Sequence, residues 1–316
     1  MDKKDRKILY ELDKNSRASF SHLGKAVKLS QETVRYRIHQ LMRKGIIAHC
    51  ITVLNQNMLG HSLYEIYFKL KKVNEEKKNA VIKYLQQSKA VAWIGNFEGK
   101  FDIGVIVMVP DQLSMQKFMM DFNNAFSAIM MKKTLSLDLK AEFFQRDYLI
   151  GKSRTTATAL SYEMSEKKVM LDELDKNICR LLANNARMSS VDMGKKLKRS
   201  SDAILLRMKK LKKQGIIRGY ALVIDNEKAD QLHYKLLLYL QDAATAQKLL
   251  GFAKSNNRVF AIMHTLAEWD YEIDLEVETV QQLKDFTMEL TDRFSESIKD
   301  YEVLRIVSMP KYDFYP

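Results

Sequence analysis

One stretch of this chain occurs twice, without a gap, at an offset of 170 residues. Asp5, Ile8, Leu12, Asn15, Arg17, Ser19, Gly24, Lys25, Lys28, Ser30, Arg37, Leu41 and Gly45-Ile46-Ile47 return at the matching positions. Their partners are Asp175, Ile178, Leu182, Asn185, Arg187, Ser189, Gly194, Lys195, Lys198, Ser200, Arg207, Leu211 and Gly215-Ile216-Ile217. Composition bias does not produce such a match, and the period far exceeds the ~20–50 residues of solenoid repeats. The chain therefore contains a duplicated domain, expected to fold about an approximate two-fold axis.

A length of 316 residues accommodates about two domains with separate cores. Three prolines and eleven glycines argue against long disordered tracts. No run of 18 apolar residues is present, and the N-terminal MDKKDRKILYELDKNSR is too charged for a signal peptide. Cys50 and Cys179 occupy unmatched positions in the two copies, which suggests neither a disulfide nor a metal site. These features lead us to expect a reduced, cytoplasmic protein with no membrane contact, metal or cofactor. The net charge is +13, and it is unevenly spread. Residues 1–55 carry +7 and 166–225 carry +8, whereas 56–150 carry +3, 151–165 carry +1 and 226–316 carry −6. A basic excess confined to the start of each copy is the footprint expected for a polyanion partner.

Ile8, Leu9 and Leu12 recur at helical spacing within Lys3–Asn15. Ser19 is placed to cap a short second helix carrying Leu23, Ala26 and Val27, and Ser30 to cap a third that stops at Gly45. Ile46-Ile47 and Ile51–Leu54 then read as short β segments, so each copy opens with a winged helix-turn-helix. Gly24 and Gly194 lie inside the second helix, where Gly costs about 1 kcal/mol relative to Ala, which implies a close helix crossing. On the third helix Val34, Ile38 and Leu41 form the core face. Glu32, Tyr36, His39 and Arg43 point the other way, flanked by Thr33 and Arg35, and Ser30 and Gln31 start the helix. Polar and aromatic groups near the start of such a helix are what major-groove reading requires. The alternative is an ordinary solvated face. Arg37 and Arg207 lie to the side, equally suited to a phosphate contact or to pairing with a nearby acid.

In the second copy the outward face is Asp202, Leu206, Lys209 and Lys213, with Leu205 in place of Arg35. Base readout there loses its donors. Lys195, Lys198, Arg199, Ser201, Lys209 and Lys213 remain for the phosphate backbone, so this copy reads as a gripper rather than a reader. Leu205 and Leu206 otherwise suggest packing on another protein.

After His61 the pattern is strand (Leu63–Leu70), helix (Glu75–Gln87), strand (Val91–Asn96) and strand (Phe101–Val109). A helix (Gln112–Ile129) and a strand (Thr134–Phe144) complete a ferredoxin-like βαββαβ unit. The second copy gives Tyr234–Leu240, Ala244–Ser255, Val259–Thr265, Asp270–Val277, Val280–Phe294 and Tyr301–Val307. The fold class expected is α+β, with two winged helix-turn-helix domains (1–55 and 166–225) and two ferredoxin-like domains (56–150 and 226–316). Residues 151–165 form a linker, able to span up to about 50 Å when extended. On β-strand Asp270–Val277 and just beyond it, Asp270, Glu272, Asp274, Glu276 and Glu278 share one face. A solvent-exposed sheet face is the plainer expectation; a repulsive surface that selects a basic partner is the sharper one.

A winged helix-turn-helix followed by βαββαβ resembles the Lrp/AsnC (leucine-responsive) family of transcription regulators. The resemblance rests on Asp5-Arg6-Lys7-Ile8-Leu9, Leu23-Gly24-Lys25-Ala26-Val27, Leu29-Ser30, Arg37, Leu41 and Gly45-Ile46-Ile47, and it covers both copies. The turn Gly99-Lys100-Phe101-Asp102, matched by Ala267-Glu268-Trp269-Asp270, looks like the Gly-x-Tyr-Asp of the family's RAM-type ligand-binding domain. The resemblance implies double-stranded DNA as partner and an amino-acid effector near Gly99 and Asp102; a plain hairpin turn with a capping Asp is the competing account. It also implies that the two βαββαβ units pair within the chain as a built-in pseudo-dimer, with further homo-oligomers left open. Fused proteins of this architecture also resemble siroheme decarboxylases, but His22, His39, His49, His61, His233 and His264 form no cluster in sequence and no catalytic motif is present. A sequence-indifferent architectural DNA-binding protein is the remaining alternative.

Overall fold

The computed structural model describes residues 1–154, 159–164, 168–242 and 245–315. The first copy opens with helices α1 (Lys3–Lys14), α2 (Phe20–Val27) and α3 (Gln31–Arg43), followed by strand β1 (Ile47–Leu54). Asp2, Ser19 and Ser30 cap these helices by accepting from the backbone N–H of Asp5, His22 and Thr33. Gly45, at φ +73°, ends the third helix. The chain continues through β2 (Ser62–Leu70), α4 (Glu75–Gln87), β3 (Val91–Glu98), β4 (Ile103–Val109), α5 (Gln112–Phe126) and β5 (Met130–Phe144). A short 3-10 helix (Asp147–Ile150) and β6 (Ala159–Glu163) precede the second copy. That copy comprises α6 (Glu173–Ala183), α7 (Ser190–Leu197), α8 (Ser201–Lys213), β7 (Ile217–Ile224), β8 (Leu232–Leu240), α9 (Ala246–Ser255), β9 (Val259–Leu266), β10 (Tyr271–Val277), α10 (Val280–Phe294) and β11 (Ile298–Tyr312).

The two copies are interlocked. Strand β1 does not fold back on its own domain; it pairs antiparallel with β7, and Ile51 faces Ala221, its own equivalent 170 residues on. The pseudo-two-fold axis therefore passes between these residues. Each helical core is completed from the other copy: Leu222 and Ile224 join Ile8, Leu12, Val34 and Ile38, while Leu54 and Met58 join Ile178, Leu182, Ile204 and Leu211. Burying such side chains contributes about 1.5–3 kcal/mol each, so neither three-helix unit has a full core alone. Arginines lock the junction reciprocally. Arg17 donates to the carbonyls of Ala186 and Met188 (2.7 Å to the latter), and Arg187 to those of Ser16 and Ala18, at 2.7 and 2.9 Å.

Beneath this pair, among the described residues, eight strands close into a ring in the order β2-β4-β3-β11-β8-β10-β9-β5, with β5 returning to β2. Closure leaves no unpaired edge in the ring, and β6 extends β5 at its far end. Side chains alternate across each strand. Ile66 and Phe68 face outward to α4 and α5, and Leu236, Ile273 and Leu275 face α9 and α10. Tyr67, Phe97, Phe101, Leu237, Trp269 and Leu304 fill one end of the interior.

Three sequence expectations change here. Residues 151–165 are more than a linker, because 159–163 form β6; residues 155–158 and 165 lie outside those described, as does Ala244, where the α9 pattern was read to begin. The acidic strand β10 has no solvent face: Glu272, Asp274 and Glu276 are buried inside the ring, and Asp270 and Glu278 alone are exposed. Alternation identified a single face correctly, but the sequence does not say that the sheet curls around it. Finally, Gly24 and Gly194 permit close approach of a turn rather than of a crossing helix. A Cβ at these positions would lie 2.7 Å from the Leu29 carbonyl oxygen and 2.5 Å from that of Arg199.

Candidate nucleic-acid interface and the charged interior

Helix α3 is held by Val34, Ile38 and Leu41, which leaves Gln31, Glu32, Arg35, Tyr36, His39 and Arg43 exposed on one side. Tyr36 is 65% exposed, which leaves its ring and hydroxyl open to a partner. Arg35 makes only a loose ion pair with Glu32, at 3.8 Å, so its guanidinium is available to a partner. Ser30 and Thr33 are engaged locally: their hydroxyls lie 2.8 Å apart and Ser30 accepts from the Thr33 N–H. Arg37 takes the pairing alternative. It donates to Asp2 and Asp5 at 2.7 and 2.8 Å, and Arg207 repeats the bond to Asp172, with Asp175 at 3.3 Å. These ion pairs clamp the third helix to the first in both copies, which is why Arg and Asp recur together.

In the second copy Lys195, Lys198, Arg199, Lys209 and Lys213 are exposed around α8. Ser201 is half-buried with its hydroxyl 2.8 Å from that of Ser190, so it ties α7 to α8. Leu205 and Leu206 are exposed, 41% and 68%, and make no core contact in the place where the first copy presents Arg35 and Tyr36.

Gly99 and Asp102 serve the turn. The Asp102 carboxylate accepts from the Leu70 N–H at 2.8 Å and from Lys69 at 3.2 Å, and Asp270 accepts likewise from the Leu240 N–H in the other copy. Gly99 has φ +132°, and a Cβ added there would lie 3.0 Å from the Val303 carbonyl of β11. The capping account of Asp102 thus describes its bonds, while Gly99 is exposed at the surface of the turn.

The larger polar constellation was not identified from sequence. Inside the ring Lys235 bonds Glu272 and lies 3.6 Å from Asp274 and 3.7 Å from Glu65. Asp138 lies in the same cluster, with Tyr162 donating to it at 3.5 Å. Burial, reinforced by the Glu272 charge, pushes Glu65 well above the carboxylate range and Asp138 up to about 7. Burial acts upward on Asp274 too, but Lys235 and His233 outweigh it and hold that carboxyl below its ordinary value. A second cluster sits where the DNA-binding pair meets the ring. Arg146 donates to Glu276 at 2.7 and 2.9 Å and to Asp13 at 2.6 Å, and Tyr148 donates to Glu276 at 2.6 Å. Two signals in the sequence pointed here: the period-two acids of β10, and the opposite charges of Glu65 and Lys235 at matched positions 170 apart.

The sequence profile of the AsnC-type helix-turn-helix domain matches residues 1–42 and again 171–212. The HTH-type transcriptional regulator Ptr1 of Methanocaldococcus jannaschii is 31% identical over 122 residues, 38% of this chain and 79% of that protein. The HTH-type transcriptional regulator LrpA of Bacillus subtilis is 41% identical over 64 residues, 20% of this chain and 47% of that protein. Among solved structures, the siroheme decarboxylase NirDL superposes with a TM-score of 0.63 over 98% of this chain and 93% of that one, at 14% identity. At that identity the likeness concerns the fold alone. No helix among the described residues is long and apolar enough to cross a membrane.

Proposed function

The chain belongs to the Lrp/AsnC family, and from that premise we propose that it is a DNA-binding transcriptional regulator in which one polypeptide supplies both halves of the dimer. The observation that carries this reading is the exposed α3 face, where Arg35, Tyr36, His39 and Arg43 are open to solvent on a basic domain paired through β1 and β7 with its own duplicate. Such side chains reach base edges from a helix in the major groove, while the lysines around α8 suit phosphates. The two halves are therefore unequal: the first reads sequence and the second holds the backbone. Sequencing the duplex fragments that the purified protein retains at moderate salt tests this. Enrichment of a defined half-site supports it; random retention favours an architectural role instead.

The shared fold with NirDL makes a tetrapyrrole decarboxylase the second reading, since that protein has also been crystallised with an iron-uroporphyrin III analogue. The interior of this chain weighs against it. A carboxylate-rich macrocycle needs surrounding cations, and here Glu65, Asp138, Glu272 and Asp274 surround one lysine while Asp13 and Glu276 take up Arg146. Absence of tetrapyrrole absorbance in the purified protein and no binding of added iron uroporphyrin are the expected results.

A further inference from the structure

The ring interior opens into a cavity of about 250 Å³ beneath the paired DNA-binding domains. Its polar side is formed by Glu65, Asp138, His233, Lys235 and Asp274, and its apolar walls include Trp93, Met263 and Phe260. The polar residues are nearly inaccessible, Glu65 at 2%, Asp138 and His233 at 5% and Asp274 at 7%. Yet Glu65 Oε1, Asp138 Oδ1, Asp274 Oδ1 and both His233 nitrogens lack hydrogen-bond partners. Native proteins rarely leave buried polar atoms without a hydrogen bond; here Lys235 Nζ, 3.7 Å from Glu65 and 3.6 Å from Asp274, and the Asp274 carboxylate, 3.5 Å from His233 Nε2, offset part of the charge without completing those bonds. The scaffold does not impose this arrangement. In the first copy the ladder positions equivalent to His233, Lys235 and Asp274 are Leu63, Glu65 and Ile106, so most of the polar set belongs to one half only.

We propose that this cavity binds a small organic cation, an aliphatic amine or guanidine, whose charged end meets the Glu65–Asp138–Asp274 carboxylates and whose methylene body lies along Trp93, Phe260 and Met263. The sign of the ligand follows from the surplus of carboxylates over Lys235. Its organic nature follows from the apolar walls, and among the described residues no His, Cys, Asp and Glu side chains are grouped to hold a metal ion. Asp138, whose carboxyl is pushed up to about 7 by burial, gives up its proton when a cation arrives, so binding releases protons near neutrality. The cavity is also lined by Asp13 and Lys14 of α1 and by parts of β1 and β7. An occupant therefore shares its cavity with residues of the DNA-binding pair. Its role as an effector rests on the regulator reading, while its binding does not.

Isothermal titration of the full chain with putrescine and with agmatine near pH 6.5, and again near pH 8, without DNA, tests the site. Saturable binding of at least one is expected, accompanied by proton release seen as a dependence on buffer ionisation heat and weakening on acidification. Asp138→Asn and Glu65→Gln should each weaken it at least tenfold. Met263→Trp, which fills the cavity from its apolar wall, should abolish it in a protein whose helical spectrum is unchanged. Lack of saturable binding of either probe by the wild-type protein at millimolar concentration overturns the proposal. So does binding that survives all three substitutions in folded protein, or equal affinity for uroporphyrin. A protein that binds putrescine but no DNA would retain this site and lose the regulator reading; the reverse result would do the opposite.

Discussion

At the scale of single residues, the interior carboxylates are the least ordinary groups in the molecule. Asp138 faces Glu65 from β2, His233 and Lys235 from β8, Glu272 and Asp274 from β10 and Tyr162 from β6. Its folded carboxyl holds a proton up to about 7, well above the ordinary 3.8. Between those values the folded chain retains a proton that the unfolded chain has lost, so this group makes stability fall as pH rises through the window. Glu65, also pushed upward, acts with the same sign. Asp138→Asn should flatten that part of the pH dependence, read as denaturant midpoints collected from about pH 4 to 8. An unchanged slope would mean that Asp138 is ionised in the folded protein at acid pH.

At the scale of elements, α3 and α8 share caps, core spacing and an Arg clamp, and they differ in what they present outward. Arg35→Ala or Tyr36→Ala should relax sequence preference, at about 1–3 kcal/mol for each lost base contact. Leu205→Ala and Leu206→Ala should leave preference unchanged. Selection from random duplexes decides between them; altered sites in the leucine variants would reverse the assignment of reader and gripper. The turn between α2 and α3 gives a stability test. Ala normally improves a helix by about 1 kcal/mol over Gly. At Gly24, however, the added carbon would meet the Leu29 carbonyl at 2.7 Å, and backbone there cannot yield as a side chain does. Gly24→Ala should therefore destabilise by about 1–3 kcal/mol in chemical denaturation, as overpacking generally does.

At the scale of the whole molecule, the pairing of β1 with β7 and the closed ring make one chain a complete pseudo-dimer. Two basic domains side by side suit roughly 6–10 phosphate contacts, which implies a loss of about 10³–10⁵ in DNA affinity between 50 and 200 mM salt. A nearly flat response in a gel-shift or anisotropy titration would remove DNA binding from consideration. Identical subunits read palindromes, whereas this chain carries two different third helices about its axis. A single chain should protect an asymmetric site with strong preference in one half. Footprinting at concentrations where light scattering reports a monomer tests this; two equally specified inverted half-sites under one chain would refute unequal halves.

The duplication, the helix-turn-helix elements, their caps and the βαββαβ order were all legible in the sequence. They depend on local spacing, on residues such as Ser19, Ser30 and Gly45, and on a period of 3.6 or 2 that each segment displays by itself. The exposed polar face of α3 was legible for the same reason, because a helix fixes which side chains oppose its core. Where the other side of each element faces was decided by tertiary structure. The period-two pattern of β10 is the same whether its acids meet water or a second sheet, and only closure of the ring through β5 and β2 buries Glu272, Asp274 and Glu276. The choice between phosphate and carboxylate for Arg37 likewise waited on the position of Asp2 and Asp5, more than thirty residues away in sequence. Contacts of that kind join segments whose separation along the chain carries no period, so they are set by tertiary packing, within one helix-turn-helix unit for Arg37 and between the two copies for the ring.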